Sequence, residues 1–366
     1  MNLTSPYINK DNKEMEVMYS ISLLSNIGSL SDIYGRSGIA HVCEHSALAH
    51  HMDKHRNSST LTISGRTDFH SCSLLFCMDE EYVAIEQVSM IDDIISGRYL
   101  TEYSLDTAKD EVIAECSKRH IYDKNMSKII SFVTDGAING MPTGEISEIQ
   151  LISLDDALNG NPFGNIGSLI YAEHDSERIH QFVYMPKQKP SLASIEHKKE
   201  VQFLITEGNS LRIYLSMPTC ATREDILLRA IVEFIFHYRI KNRNEKIRNI
   251  YHKHYFKEYS HLIVAFDNVG ISTEEYANEI VAYIGDSNVS KKEAKHAISS
   301  IAERSIENPI NSVIADMQSY LSYGTPSVYQ LKHDEIQELL RSISIADISN
   351  YLVKLFTNIH IVMGRV

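Results

Sequence analysis

The chain repeats itself once. A Glu-Glu-Tyr helix start at Glu80–Tyr82 returns 194 residues later at Glu274–Tyr276. A Ser-x-x-Asp pair at Ser153 and Asp156 returns 191 residues later at Ser344 and Asp347. A nearly constant offset marks a duplicated unit, so whatever fold one half adopts the other must be able to adopt. In the first half, MEVMYSISLLS (15–25) and SCSLLFCM (71–78) have the β-branched and aromatic content of strands. They are followed by a segment in which Tyr82, Ile85, Val88, Ile91 and Ile94 fall on one helix face. In the second half, LRIYLSMP (211–218) and HLIVAFDN (261–268) precede TEEYANEIVAYI (273–284) in the same order. The Ser-x-x-Asp pairs are helix starts in which each end satisfies the other's backbone N–H. Between the halves, MPKQKPSLASIEHKKE is rich in Lys, Pro and Ser and lacks an apolar period, as a linker does. The expected fold is α+β: two similar α/β sandwich domains, residues 1–184 and 201–366, joined by the linker 185–200.

With 366 residues, 43% hydrophobic and 23% charged, the chain can bury two ordinary cores. A formal charge of −13 argues against nucleic acid or an anionic membrane as main partner. No apolar run approaches the ~20 residues that a membrane span requires. The opening MNLTSPYINKDNKEME has no hydrophobic centre of the secretory kind, and a cytoplasmic location is expected. Cys43, Cys72, Cys77, Cys116 and Cys220 are scattered without CxxC spacing and read as reduced thiols.

The chemistry concentrates in GIAHVCEH, residues 38–45. On a helix, His41 and His45 share a face and Glu44 lies beside them. Two imidazoles with a carboxylate suit Zn2+ with a fourth position open to water, and Glu44 is placed to take a proton from that water. A third ligand must come from another helix. LDTAKDEVIAECSKRH (105–120) offers Glu111 and Glu115 on a helical pattern packed by Val112, Ile113 and Cys116. One of the two can coordinate while the other orients a histidine. Elsewhere histidine spacings such as His50/His51/His55 and His252/His254 make no comparable demand.

The stretch IGSLSDIYGRSGIAHVCEHSALAH resembles the signature of the pitrilysin (insulinase and mitochondrial processing peptidase) family, with its inverted zinc motif H-x-x-E-H. The resemblance implies that His41, His45 and Glu115 are zinc ligands and that Glu44 is the catalytic base. Val112-Ile113-Ala114-Glu115 supplies the family's context for the third ligand, 70 residues after His45, and Glu111 becomes the candidate for orienting a histidine from behind. The family's half-molecule consists of two similar domains, of which only the first keeps zinc. Displaced by 194 residues, the motif falls on Ile235-Phe236-His237-Tyr238-Arg239, which cannot form the site. The resemblance also implies substrate binding by Arg248 and Tyr255, which match the family's R-x-x-x-G-x-x-Y spacing, with His252 in place of the glycine. Two further departures are Cys43 within the zinc motif, read as a small buried hydrophobe, and the lack of the family's N-A-x-T asparagine in TLTISGRT.

The resulting expectation is a zinc-dependent endopeptidase acting on peptides or on precursor or leader segments. By the same resemblance it would form a homodimer, or a heterodimer with a related subunit. The alternative is a non-catalytic or partner-dependent subunit of a heterodimeric processing peptidase, although such chains usually lose a ligand or the base and this one retains all four residues.

Overall fold

The computed structural model describes residues 19–33, 35–54, 61–78, 81–173, 178–183, 201–205, 210–218, 220, 222–243, 247–254, 259–266, 274–304, 333–357 and 359–363. The linker read at 185–200 lies outside the described residues.

The first half runs β1 (Tyr19–Ser25), α1 (Ile39–Lys54), β2 (Leu61–Thr67), β3 (Cys72–Met78), α2 (Glu81–Ser96), α3 (Glu102–Val133), α4 (Ile146–Ile149), α5 (Leu154–Gly160), β4 (Ile166–Glu173) and β5 (Arg178–Val183). The second half runs β6 (Val201–Ile205), β7 (Leu211–Pro218), α6 (Arg223–Asn242), β8 (Ile247–His254), β9 (Tyr259–Phe266), α7 (Glu274–Ile284), α8 (Lys291–Arg304), α9 (His333–Ser342), α10 (Ile345–Leu355) and β10 (Ile359–Met363). The expected helix starts at Ser153 and Ser344 are both reciprocal caps, with Asp156 and Asp347 returning the bond to the serine backbone.

Two five-stranded sheets result, ordered β2-β3-β1-β4-β5 and β6-β10-β7-β9-β8. Four positions correspond: β2-β3-β1-β4 in one sheet matches β8-β9-β7-β10 in the other, and every pairing within these cores is antiparallel. The fifth strands differ, since β5 joins β4 antiparallel whereas β6 joins β10 parallel. The duplication therefore holds at the level of topology, as a mixed α+β fold.

Strand alternation separates the two faces of each sheet. Leu211, Ile213, Leu215, Leu262, Val264 and Ile361 face the helices of the second half and form its core. Ile21, Leu23, Leu74 and Phe76 do the same in the first half against α1, α2 and α3. The opposite face of the second sheet, with Tyr214, Ile263 and Val362, is not left to solvent. The C-terminal half of α3 covers it with Met126, Ile129, Ile130 and Val133, joined by Phe69 from the β2–β3 turn. One helix of the first half thus seals the second. Truncation of Ile130, which is 1% exposed in this shared cluster, is expected to cost about 2–5 kcal/mol. Urea denaturation of Ile130→Ala measures it, and a loss within about 0.5 kcal/mol, as surface changes give, would contradict the packing.

Candidate metal centre

The helix that carries the motif starts where backbone donors find acceptors from elsewhere in the chain. Asp32 accepts from the N–H groups of Gly38 at 2.7 Å and Ala40 at 3.0 Å, and Glu148 accepts from the Ser37 N–H at 2.7 Å. These are the orphan donors of a helix start, here satisfied by carboxylates that also complement the helix dipole. Gly38 (φ +94°) and Gly144 (φ +81°) occupy left-handed backbone and lie against one another. A side chain at Gly144 would place its Cβ 2.7 Å from the Gly38 Cα. Two glycines are what bring the 143–149 segment onto the head of α1.

From this start α1 lies across α3, and the two histidines meet Glu115. His41 Nε2 is 3.6 Å and His45 Nε2 3.8 Å from Glu115 Oε2. One ligand atom from each of His41, His45 and Glu115 lies within 4.8 Å of the others. The opposite ring nitrogens are occupied: His41 Nδ1 faces the Thr143 carbonyl at 3.4 Å, and His45 Nδ1 faces Glu111 Oε2 at 3.0 Å. Donation from Nδ1 leaves each Nε2 lone pair free and aimed at the shared space. Glu115 is split in the same way. Its Oε1 accepts from Arg119 at 2.8 Å, and its Oε2 turns to the histidines. Arg119 is in turn 3.5 Å from Asp123, which accepts from the Thr143 hydroxyl at 3.3 Å.

The donor set fits a divalent transition ion. Ligand atoms around a tetrahedral zinc with bonds of about 2.0–2.1 Å lie roughly 3.3–3.5 Å apart. The two histidine–Glu115 spacings, 3.6 and 3.8 Å, are slightly longer, and all three atoms lie within 4.8 Å of one another. The electrostatics agree. Burial, followed by the charge of His45, pushes His41 down to about 4, so its imidazole is neutral and can ligate at neutral pH. Burial raises the Glu115 carboxyl, but the Arg119 hydrogen bond and the charge of His41 more than reverse this, and it sits below its ordinary value.

Glu44 precedes His45 on α1, is 4% exposed, and feels the charges of both His45 and Glu115. Its Oε2 accepts from the Thr67 hydroxyl at 2.6 Å. Its Oε1 occupies the space that a side chain at Gly65 would fill, since a Cβ there would lie 2.3 Å from it. Gly65 and Thr67 are two apart on β2 and therefore share the face turned toward α1. Burial pushes Glu44 up to about 7, against the Thr67 bond and the charge of His45.

Cys43, within the motif, points the other way. It is fully buried in the core of the first half, its thiol faces the Ala157 carbonyl at 3.6 Å, and burial raises it to about 12. A small apolar residue is what that position requires. In the second half, α6 occupies the place of α1, and Ile235, Phe236 and Arg239 are buried there. Arg239 bonds Glu293 at 2.8 Å and the Ile284 and Asp286 carbonyls at 2.8 and 2.6 Å, so its charge is spent on packing. Arg248 falls on β8, and Tyr255 lies outside the described residues. Thr67 and Gly65 had a signal in the sequence, a period of two in TISGRT on a strand after the motif. Thr143 and Arg119 had none, because their roles depend on how a loop and a helix return to α1.

Neither a protein-family model nor a curated protein sequence matches the chain. Solved structures match in shape. The first half of the periplasmic protease PqqL from Escherichia coli superposes with a TM-score of 0.67 at 12% identity, over 95% of this chain and 87% of that one. Against the crystal structure of PqqL itself, the TM-score is 0.65 at 12% identity over 95% of this chain, which spans 45% of that longer chain. A protease from Helicobacter pylori gives 0.65 at 14% identity, over 97% of this chain and 95% of that one. A peptidase M16 inactive domain from Pseudomonas fluorescens gives 0.67 at 11% identity, over 96% and 93%. The fold is thus one that these solved structures share. Because that fold is also found in an inactive domain, the chemistry rests on the side chains of this chain.

The geometry predicts one divalent transition-metal ion bound per chain. Competition against a chromophoric chelator should show His41→Ala and His45→Ala losing stoichiometric binding, and Glu111→Gln weakening it about 10–100-fold. Unchanged affinity in either histidine variant would contradict the site.

Proposed function

We propose that the chain is a zinc-dependent endopeptidase that hydrolyses peptide bonds in peptides or in precursor or leader segments. The observation that carries this reading is Glu44. A carboxylate is buried next in sequence to one of three converging donors, close enough to feel the charges of His45 and Glu115, gripped by one hydroxyl and given room by a glycine. A merely structural glutamate gains nothing from that place, whereas a base must be within reach of the proton it takes.

His41, His45 and Glu115 would hold the ion, with Glu111 and the Thr143 carbonyl fixing the two imidazoles. A divalent ion held there makes water acidic and polarises a carbonyl oxygen. Glu44 takes the proton from the attacking water and returns it to the leaving amine. Thr67 keeps its carboxylate oriented during both transfers. Burial serves this exchange, because raising the carboxyl from the ordinary 4.5 toward neutrality makes its carboxylate a stronger base toward the water, while its acid form can still hand the proton on. Arg248 and Tyr255 are proposed to contact substrate from the second half, and a second copy or a related subunit to complete the assembly.

Zinc-loaded wild type should cleave unstructured peptides in a fluorogenic or mass-spectrometric assay. Glu44→Gln should retain its zinc and lose about 10²–10⁴ in kcat. If both were equally inert with zinc bound and with any co-purifying related subunit present, the reading would be wrong. If wild type were active only with such a subunit, the partner-dependent alternative would hold. The pH profile supplies a second check. Protonated Glu44 cannot take a proton, so cleavage should fall as the pH drops. The midpoint should lie between the ordinary 4.5 and about 7, since burial pushes the group up and a nearby divalent cation draws it down.

A further inference from the structure

We propose that Lys253, on β8 of the second half, is a positioning residue for the site in the first half. It clamps Asp68, and Asp68 fixes the end of β2 at which Thr67 holds Glu44. The inference rests on the hydrolase reading above.

The contact joins two sheet edges. β2 and β8 are the edge strands of their sheets. Lys253 stands opposite His261 in the β8–β9 register, and Tyr251, two residues earlier on the same strand face, packs into the cluster between the halves. From there Lys253 Nζ donates to both Asp68 oxygens, at 2.8 and 3.0 Å, and lies 5.5 Å from the centre of the Phe69 ring. Asp68 is far less exposed than its partner, with 12% of its side chain accessible against 30% for Lys253. Arg66 also reaches it at 3.2 Å, but from a half-exposed position. Without Lys253 a buried carboxylate would be left to that weaker, better-solvated cation. Breaking a buried pair from one side is the costly way to break it.

Asp68 is the corner on which the β2–β3 turn is built. Its carboxylate accepts from the Phe69 N–H at 2.8 Å, and its own N–H donates to the Ser71 carbonyl at 2.8 Å. Its carbonyl accepts from Ser29 at 3.1 Å, and the next carbonyl, that of Phe69, accepts from Leu30 at 3.0 Å. Gly28 has no room for a side chain there, since a Cβ would lie 2.3 Å from the Asp68 carbonyl oxygen. The preceding residue is Thr67, whose hydroxyl holds Glu44 at 2.6 Å. A shift of about 1 Å takes this bond out of hydrogen-bonding range, and misplacing a reacting group by about 1 Å can cost on the order of 100-fold in rate. The second half therefore reaches the catalytic base in two covalently adjacent steps, Asp68 and Thr67, without touching substrate.

The test compares zinc-loaded wild type, Lys253→Met, Lys253→Arg and Thr67→Val in the full chain. Three readouts are taken: zinc content, peptide cleavage resolved into kcat and KM, and amide hydrogen exchange over residues 61–78. Lys253→Met should keep its zinc, exchange faster over 61–78, and lose about tenfold or more in kcat with KM little changed. Lys253→Arg, which can still grip the carboxylate, should recover most of both losses. Thr67→Val should reproduce the kcat loss without faster exchange at the turn, which separates loss of the bond to Glu44 from loosening of the strand. An active wild type with an unaffected kcat in Lys253→Met would overturn the positioning role, even if exchange rose, because the ion pair would then only join the halves. Unchanged exchange over 61–78 in that variant would equally overturn it. A zinc-loaded wild type that cleaves nothing would instead overturn the hydrolase reading and take the positioning role with it.

Discussion

A single helix holds this molecule together. The 32 residues of α3 span roughly 48 Å at 1.5 Å per residue, and the two ends of the helix do different work. The first half presents Glu111 and Glu115 to the histidines of α1. The second half buries Met126, Ile129, Ile130 and Val133 against the sheet of the other repeat. Because a helix is stiff, the packing of one repeat on the other and the placing of the acidic residues at the candidate centre are one constraint. A strong cap at Thr101 and Ser104 anchors the start of this rod.

The candidate centre is organised by desolvation. Placing His41 and Glu44 under cover would be costly if both were charged, and the fold avoids this by leaving the imidazole neutral and the carboxyl near the point of titration. His41 Nδ1, His45 Nδ1, Glu115 Oε1 and Glu44 Oε2 each have a partner outside the common space: the Thr143 carbonyl, Glu111, Arg119 and Thr67 in turn. The orientation of the donors is therefore set before any ion arrives, which is what a preorganised site requires.

The repeat, the H-x-x-E-H spacing and the reciprocal caps at Ser153 and Ser344 were legible because each is a local pattern that physics ties to a local shape. From helical spacing Glu111 and Glu115 were legible only as a pair, and it was the family resemblance that singled out Glu115. Both sit one turn apart on an amphipathic helix, and sequence periodicity cannot say which of two such residues faces a histidine by Nδ1 and which by Nε2. The geometry separates them, with Glu111 behind the His45 ring and Glu115 in front of both. The linker at 185–200 and Tyr255 lie outside the described residues, so their expected roles stay with the sequence.

By itself, the sequence determined that one α+β unit is used twice and that only the first copy carries two imidazoles and a carboxylate on one helical face. Helix period, strand alternation and capping act over a few residues, and they can be read in one dimension. Tertiary structure alone decided that the tail of α3 closes the second sheet, that Gly65 and Thr67 make the socket of Glu44, and that Lys253 reaches Asp68 across 185 residues of chain. Those contacts arise from how sheets, turns and helices are set against each other; even where a local pattern exists, as the period of two that puts Gly65 and Thr67 on one strand face, it does not say which group will meet that face.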